Sequence, residues 1–333
     1  MLLSEVRDEY LAYRRAEGYK PATVQVDVIA LNRVIKVIGD MPIKQITVKH
    51  IDQIYEWMTE RRLKASTVNV ATACMRSFFK WCIDRGYRPE GTNPALARRY
   101  RPRESRPMPR VPLALFPALL DAARTPRDRM FIALGLYTMG RKRELSGIQV
   151  KHVDLDSGEI ELYISKTNAH DRMPISKELR REINLWIPKY EAQVGPLQPD
   201  WYLTPAVRGG RYLPATGYPM RPTMEICNAE GIVKYALAKI GVSGSPTGCH
   251  VLRRSAARAM FDELVTLGYD GALRIVSAYL HHSSVVMSER YLGLDLDRAN
   301  RDGFAKGELM FPSLEGDNVV PFRKDEHERD QAV

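Results

Sequence analysis

The chain has 333 residues, enough for two domains of ordinary size, and its 50 lysines and arginines outnumber its 40 aspartates and glutamates, for a net charge of +10. This surplus of positive charge favours an anionic partner, nucleic acid first and a membrane surface second. The sequence has no signal peptide and no apolar run near the roughly 20 residues that span a bilayer, so we expect a cytoplasmic protein with no membrane contact. Its four cysteines include no C-x-x-C pair, so we expect no disulfide and no metal site.

Residues 1–96 are predicted to form four helices. Their apolar residues recur at helical spacing, and each stretch is bounded by a capping residue, a proline or a glycine. Helices this short bury their apolar faces against one another, so we predict a mainly α four-helix bundle. The bundle contains no catalytic constellation. Its basic residues either face DNA or form an ordinary solvated surface: Arg61, Arg62, Lys64, Arg76 and Lys80.

Residues 97–112 differ sharply in composition from the rest, with six arginines, four prolines and one acid. The prolines prevent a helix and favour an extended strap, and arginines on such a strap suit phosphate contacts. We predict an interdomain linker that contacts DNA, the alternative being a plain linker. The arginines concerned are Arg98, Arg99, Arg101, Arg103, Arg106 and Arg110.

Residues 113–311 mix helical patterns with short strands, which predicts an α+β domain with helices around a small antiparallel sheet. The strands are predicted at 153–155, 159–164 and 172–175. Helices are predicted at 113–124, 127–137, 176–190 and 223–240, with a loop over 195–222. Residues 312–333 are polar and rich in charge, so we expect them to be disordered.

The polar residues that stand out in this second region are, in chain order, Arg141, Lys166, His250, Arg253, His282 and Tyr291. Each is ordinary on its own. A His-x-x-Arg pair at a helix start is usually a surface pair, and a tyrosine at a helix end usually packs its ring and leaves its hydroxyl in solvent. The function therefore depends on whether these residues act together.

Their local sequences resemble the catalytic domain of the tyrosine recombinases, the phage integrase family. The matching segments, in order, are TMGRKREL at 138–145, SKT at 165–167, HVLRRSAA at 250–257 and LHHSS at 280–284, followed by the tyrosine nine residues after the second histidine. The sequence departs from the family pattern at two places. His281 stands where the family usually has glycine. Before Arg141 the chain has Met139-Gly140, where the family usually has a glycine followed by an apolar residue. Neither removes a catalytic group.

The resemblance implies cleavage of a phosphodiester without metal or cofactor, and no clustered carboxylates indicate a two-metal site. Arg141 and Arg253 would hold the non-bridging oxygens through paired donors and stabilise the transition state. Tyr291 would attack the phosphorus, and it needs nearby cations or a base because a phenol has a pKa of about 10. Lys166 would protonate the leaving 5′ oxygen.

The histidines complete the implied site. His250 is expected to act as a base or proton relay, and His282 to donate a hydrogen bond to the phosphate. The product would be a 3′-phosphotyrosine link that keeps the bond energy, so that a 5′ hydroxyl of another strand can rejoin it.

The implied partner is double-stranded DNA with attachment or core sites, held between the bundle and the catalytic domain as in a clamp. We expect a dimer to tetramer on DNA through residues 292–311, with packing in cis as the alternative. The sequence does not show whether an accessory factor sets the direction of recombination. Some family members carry a further small domain that binds accessory arm sites, and we expect no such domain here. A phage or mobile-element recombinase is favoured over two alternatives, a type IB topoisomerase-like relaxing enzyme and a DNA-binding protein with a degenerate site.

Overall fold

The computed structural model describes residues 1–102, 108–165, 168–208, 219–242, 248–282 and 284–294. The chain forms two compact units, Met1–Ser105 and Arg106–Val333. None of the described helices is long and apolar enough to cross a membrane.

Unit 1 is a bundle of four helices, which confirms the predicted mainly α fold of this region. The helices are α1 Leu3–Ala16, α2 Pro21–Ile38, α3 Val48–Glu60 and α4 Ala65–Asp84. The core is lined by aromatic rings, with Tyr10 packed edge-on against both Phe78 and Trp81 at centroid distances of 5.4 Å. A short 3-10 turn, Pro94–Ala97, follows the bundle and packs on α4.

Unit 2 is the predicted α+β fold. Its helices are α5 Phe116–Asp121, α6 Pro126–Tyr137, α7 Lys142–Ser146, α8 Lys177–Val194, α9 Ala229–Lys239, α10 Cys249–Thr266, α11 Ala272–Tyr279 and α12 Val285–Leu292. Its strands are β1 Val153–Asp154, β2 Glu159–Ile164, β3 Ala169–Pro174, β4 Pro205–Val207 and β5 Met220–Glu225. The first three strands form an antiparallel sheet in the order β1-β2-β3, as the sequence predicts.

The second, two-stranded sheet corrects the prediction of a loop over 195–222 and a helix from residue 223. Strand β4 pairs with β5 across an irregular register, and the carbonyl of Pro222 accepts a hydrogen bond from the nitrogen of Tyr202. A proline lacks the N–H that a helix interior needs but is tolerated in an edge strand. Helix α9 therefore begins only at Ala229.

The middle of unit 2 is built around α6 and α10, which pack against each other. Helix α6 is buried along its whole length, and the first half of α10 is almost as deeply buried. A Cβ added at Gly135 would lie 2.6 Å from Cδ1 of Leu252, so a larger residue here would force the Leu252 side chain to move. This contact fixes the N-terminal turn of α10 beside the loop that follows α6.

Candidate active site

Arg253 is the most buried of the predicted site residues, with 2% of its surface exposed. It lies on α10, and its guanidinium donates to the backbone carbonyls of Met139 and Leu280. One carbonyl precedes Arg141, and the other precedes the His281-His282 pair. Burial lowers the pKa of Arg253, with Tyr291 and Glu144 acting in the opposite direction. The side chain thus joins three segments that are distant in sequence.

Arg141 stands at the start of α7 and is held by Glu144 on the same helix. The Glu144 carboxylate accepts from the Arg141 backbone nitrogen at 2.7 Å and from Nη1 at 2.9 Å. The oxygen that accepts from the backbone nitrogen, Oε2, also lies 3.9 Å from Nη1 of Arg253. Since Glu144 is only 2% exposed, it supplies a buried negative charge that contacts the guanidinium groups of both arginines.

Tyr291 lies near the C-terminal end of α12, and its ring packs among cationic side chains. The ring of His282 meets it edge-on at 5.3 Å and 81°, and the guanidinium of Arg254 lies over it at 5.6 Å. The hydroxyl is buried and makes no hydrogen bond to any part of the chain that the structure describes. Burial raises the pKa of Tyr291, while Arg253, Arg254 and Arg141 act to lower it.

The three histidines near the site occupy different environments. His250 begins α10 with an exposed side chain, but neighbouring atoms crowd its ring, and this desolvation, followed by the charges of Arg253 and Arg254, lowers its pKa. His281 places Nε2 3.5 Å from a carboxylate oxygen of Asp171 on β3, and its pKa is lowered mainly by burial. The Nδ1 of His282 lies 2.9 Å from Oγ of Ser288.

The two departures from the family pattern share a backbone property. Met139 has φ of +53° and His281 has φ of +47°, both in the left-handed region that favours glycine. Met139 carries one of the carbonyls that accept from Arg253, and His281 follows Leu280, which carries the other. Glycine would adopt these angles without a Cβ clash, whereas this chain carries side chains at both positions and its turns are strained there.

The end of the linker is attached to α10 and α12. Arg254 donates to the carbonyl of Pro109 at 3.1 Å, and the nitrogen of Val111 donates to Oγ of Ser255 at 2.8 Å. Arg110 donates from Nη1 to the carbonyl of Leu292 at 2.9 Å. Since Leu292 directly follows Tyr291, a residue predicted to contact phosphate also caps the helix that carries the tyrosine.

The basic residues of unit 1 that are predicted to contact DNA differ in exposure and in hydrogen-bond partners. Arg61, Arg62 and Lys64 are exposed at the turn between α3 and α4. Arg76 donates to the carbonyls of Ala95 and Arg98, and Lys80 pairs with Asp84 at 2.8 Å. Their contact with DNA stays a prediction.

Among the linker arginines in unit 1, Arg98 pairs with Asp52 at 2.6 Å and Arg101 donates to Thr59 at 2.6 Å, while Arg99 is exposed. Lys166, Arg103 and Arg106 lie outside the described residues, as do the predicted tail and most of the segment 292–311.

Three features of the site were not predicted from the sequence. They are the positions of Arg254 and Ser288 in the site and the hydrogen bond from Arg110 to the end of α12. A signal existed for Arg254, because it directly follows Arg253 in a helix start. The position of Ser288 three residues before Tyr291 also placed it on the same helical face. Nothing in the linker sequence indicated that Arg110 reaches a carbonyl 182 residues further along.

Comparisons with known proteins agree with this architecture. The model of the phage integrase family matches residues 114–297, and that of the phage integrase N-terminal SAM-like domain matches residues 6–88. No curated protein sequence matches the chain.

Several solved structures share the fold at low sequence identity. Lambda integrase (residues 75–356) bound to DNA is 18% identical, with a TM-score of 0.67 over 93% of this chain and 100% of that one. A lambda integrase tetramer bound to a Holliday junction is also 18% identical, with a TM-score of 0.65 over 87% and 77% of the two chains. The Tn1549 transposon integrase in complex with transposon right end DNA is 14% identical, with a TM-score of 0.63 over 92% and 100%.

The family model spans more than half of the chain and includes all six predicted catalytic residues, from Arg141 to Tyr291. The fold of both units and the order of the four motifs agree with that match. The chain belongs to the phage integrase family and is a site-specific tyrosine recombinase.

Proposed function

We propose that Tyr291 is the nucleophile of this recombinase and that Arg141 and Arg253 hold the scissile phosphate. The observation that carries the proposal is the convergence of Tyr291, His282, Arg253 and Arg254 within one buried cluster of unit 2. Such a cluster gives a phenol the cationic surroundings that it needs to attack as phenolate.

Arg253 can hold its own position and still bind phosphate. A guanidinium has five N–H donors, and the carbonyls of Met139 and Leu280 accept two of them. The remaining donors, with those of Arg141, would meet the non-bridging oxygens and the charge that develops in the transition state. His282 would donate to the same phosphate, and His250 would take or relay a proton.

Lys166 is proposed as the general acid for the leaving 5′ oxygen. In the sequence it lies between the end of β2 and the start of β3, and β3 carries the Asp171 that contacts His281. The product would be a 3′-phosphotyrosine link, formed without metal or cofactor and rejoined by the 5′ hydroxyl of a partner strand.

The protein is further proposed to move phage or mobile-element DNA in the cytoplasm of a bacterial cell and to act as a dimer or tetramer on its DNA. Lambda integrase has been solved as a dimer on a core site and as a tetramer on a Holliday junction, which supports this assembly for the present chain. The segment 292–311 is the proposed contact between subunits. An accessory directionality factor would decide between integration and excision.

The proposal is tested with nicked duplexes that carry candidate sites, followed by denaturing gel electrophoresis. The wild-type chain is expected to form a covalent protein–DNA complex, and Tyr291→Phe to form none. Tyr279→Phe is the matched control, because it removes a phenol hydroxyl from α11 and leaves the cluster intact. A covalent complex that persists in Tyr291→Phe would contradict the proposal.

A further inference from the structure

Ser288 is a completely buried hydroxyl beside the active site, with 0% of its surface exposed. Its Oγ lies 2.9 Å from Nδ1 of His282. We propose that Ser288 is a positioning residue that fixes the ring of His282 and keeps a proton on Nε2, the nitrogen that faces away from the serine. The inference rests on the proposed function, in which His282 donates a hydrogen bond to the phosphate.

The hydroxyl makes this arrangement possible, and a bound phosphate, which only accepts hydrogen bonds, favours it. A serine Oγ can donate to an unprotonated Nδ1, and the single proton of a neutral ring then lies on Nε2. When the ring gains a second proton, the same Oγ accepts from Nδ1–H, and Nε2 keeps its own proton. His282 therefore presents an N–H donor from Nε2 in both charge states.

A carboxylate in the same place would have the opposite effect. It only accepts when ionised, so it would hold the proton of a neutral ring on Nδ1 and leave Nε2 as a base. A hydrogen-bond donor to phosphate and a general base thus need different partners on Nδ1. A hydroxyl partner suits His282 to the first task, and proton abstraction is then proposed for His250.

Ser288 also links this choice to the nucleophile. It lies three residues before Tyr291 on α12, so both side chains project from one face of the helix. The His282 ring contacts both of them, with its Nδ1 on Ser288 and its ring edge-on to Tyr291. A displacement of α12 would therefore remove the nucleophile and release the phosphate donor in one movement.

The test is a double-mutant cycle of Ser288→Ala and His282→Gln, read as the rate of covalent complex formation on nicked duplexes. Ser288→Ala removes the hydroxyl that contacts Nδ1, so the rate should fall roughly tenfold or more. Ser288→Thr keeps the hydroxyl and should restore most of it. In a His282→Gln background, Ser288→Ala should have almost no further effect, because the serine acts only through the histidine.

A matched control is Ser284→Ala, which removes an exposed hydroxyl that makes no capping hydrogen bond at the start of α12. Its rate should equal that of the wild type. Thermal unfolding of each variant separates a loss of folding from a loss of rate. Independently of any variant, the ¹⁵N chemical shifts of His282 in the full chain should show a proton on Nε2 of the neutral ring.

Additive losses in the cycle, or a neutral His282 with its proton on Nδ1, would overturn the role of Ser288. This failure is distinct from that of the proposed function. If Ser288→Ala has the wild-type rate and Tyr291→Phe is inactive, only the positioning role of Ser288 is rejected. Activity in Tyr291→Phe rejects the proposed nucleophile.

Discussion

Glu144 receives two hydrogen bonds from Arg141, one from the backbone nitrogen at 2.7 Å and one from Nη1 at 2.9 Å. Its other contact is with Arg253, 3.9 Å away. The carboxylate is therefore the only negative charge in the described structure that contacts both of the arginines proposed to bind phosphate. Since a bound phosphate would bring more negative charge, Glu144 matters most for holding the arginines together before DNA binds.

Glu144→Gln is expected to lower the free energy of unfolding by about 2 kcal/mol, because it removes a buried charge that accepts hydrogen bonds from a guanidinium. Urea unfolding measures the change. Asp262→Asn is the control, since its ion pair with Arg258 at 2.7 Å is on the exposed side of α10 and should contribute less than about 1 kcal/mol. Equal losses in the two variants would contradict the structural role of Glu144.

Tyr291 is expected to titrate above the ordinary tyrosine pKa of about 10, because burial raises its pKa more than the neighbouring arginines lower it. The fold thus favours the neutral phenol. The stability that Tyr291 contributes is complete below about pH 10 and is lost as the pH rises through the raised pKa. Absorbance titration of the wild type against Tyr291→Phe measures this pKa, and ionisation below the ordinary value would refute the prediction.

His250 should have a pKa below the ordinary value of about 6.5, through desolvation of its ring and the charges of Arg253 and Arg254. The neutral ring then persists into mildly acid solution. Its contribution to stability is present above about pH 6.5 and is lost as the pH falls through the lowered pKa. NMR titration of the ring measures the shift directly.

The same shift predicts the pH dependence of cleavage. If His250 acts as a base, the rate of covalent complex formation should begin to fall only below about pH 6.5. This acid limb should disappear in His250→Gln and remain in His50→Gln, whose histidine lies at the start of α3 in unit 1. An acid limb that is unchanged in His250→Gln would assign the titration to another group.

The strain at His281 can be measured with two substitutions. His281→Gly and His281→Ala both remove the imidazole and its contact with Asp171, but only alanine keeps a Cβ at φ of +47°. The glycine variant should therefore be more stable than the alanine variant by about 1 kcal/mol. The difference in urea unfolding between the two variants gives this value, and an alanine variant as stable as the glycine variant would show that the turn is unstrained.

The parts of this fold that the sequence predicts are those with local signals. Helices α1–α4 and the sheet β1-β2-β3 follow from apolar spacing, caps and short turns. The sheet of β4 and β5 was not predicted because its strands are joined by a long connection and one contains Pro222. Their pairing depends on a distant partner, which a local pattern does not reveal.

The residues proposed as catalytic show the same division. Arg141, Arg253 and Tyr291 could be singled out because each lies in a distinctive short segment. The contacts that orient them, from Glu144 to Arg253 and from Ser288 to His282, join different segments in space. Serine in a helix has many ordinary explanations, and only the distance between two side chains distinguishes this one.

The linker contacts bear on the construction of chimeric recombinases with new target sites. Residues 109–111 belong structurally to the catalytic unit, because Pro109, Arg110 and Val111 bond to α10 and to the end of α12. A fusion that replaces the helical bundle of unit 1 should therefore join the two parents before Met108. A junction placed after Val111 would replace residues 109–111 with those of the other parent and remove their contacts with α10 and α12. The rate of strand cleavage would then change as well as the choice of DNA.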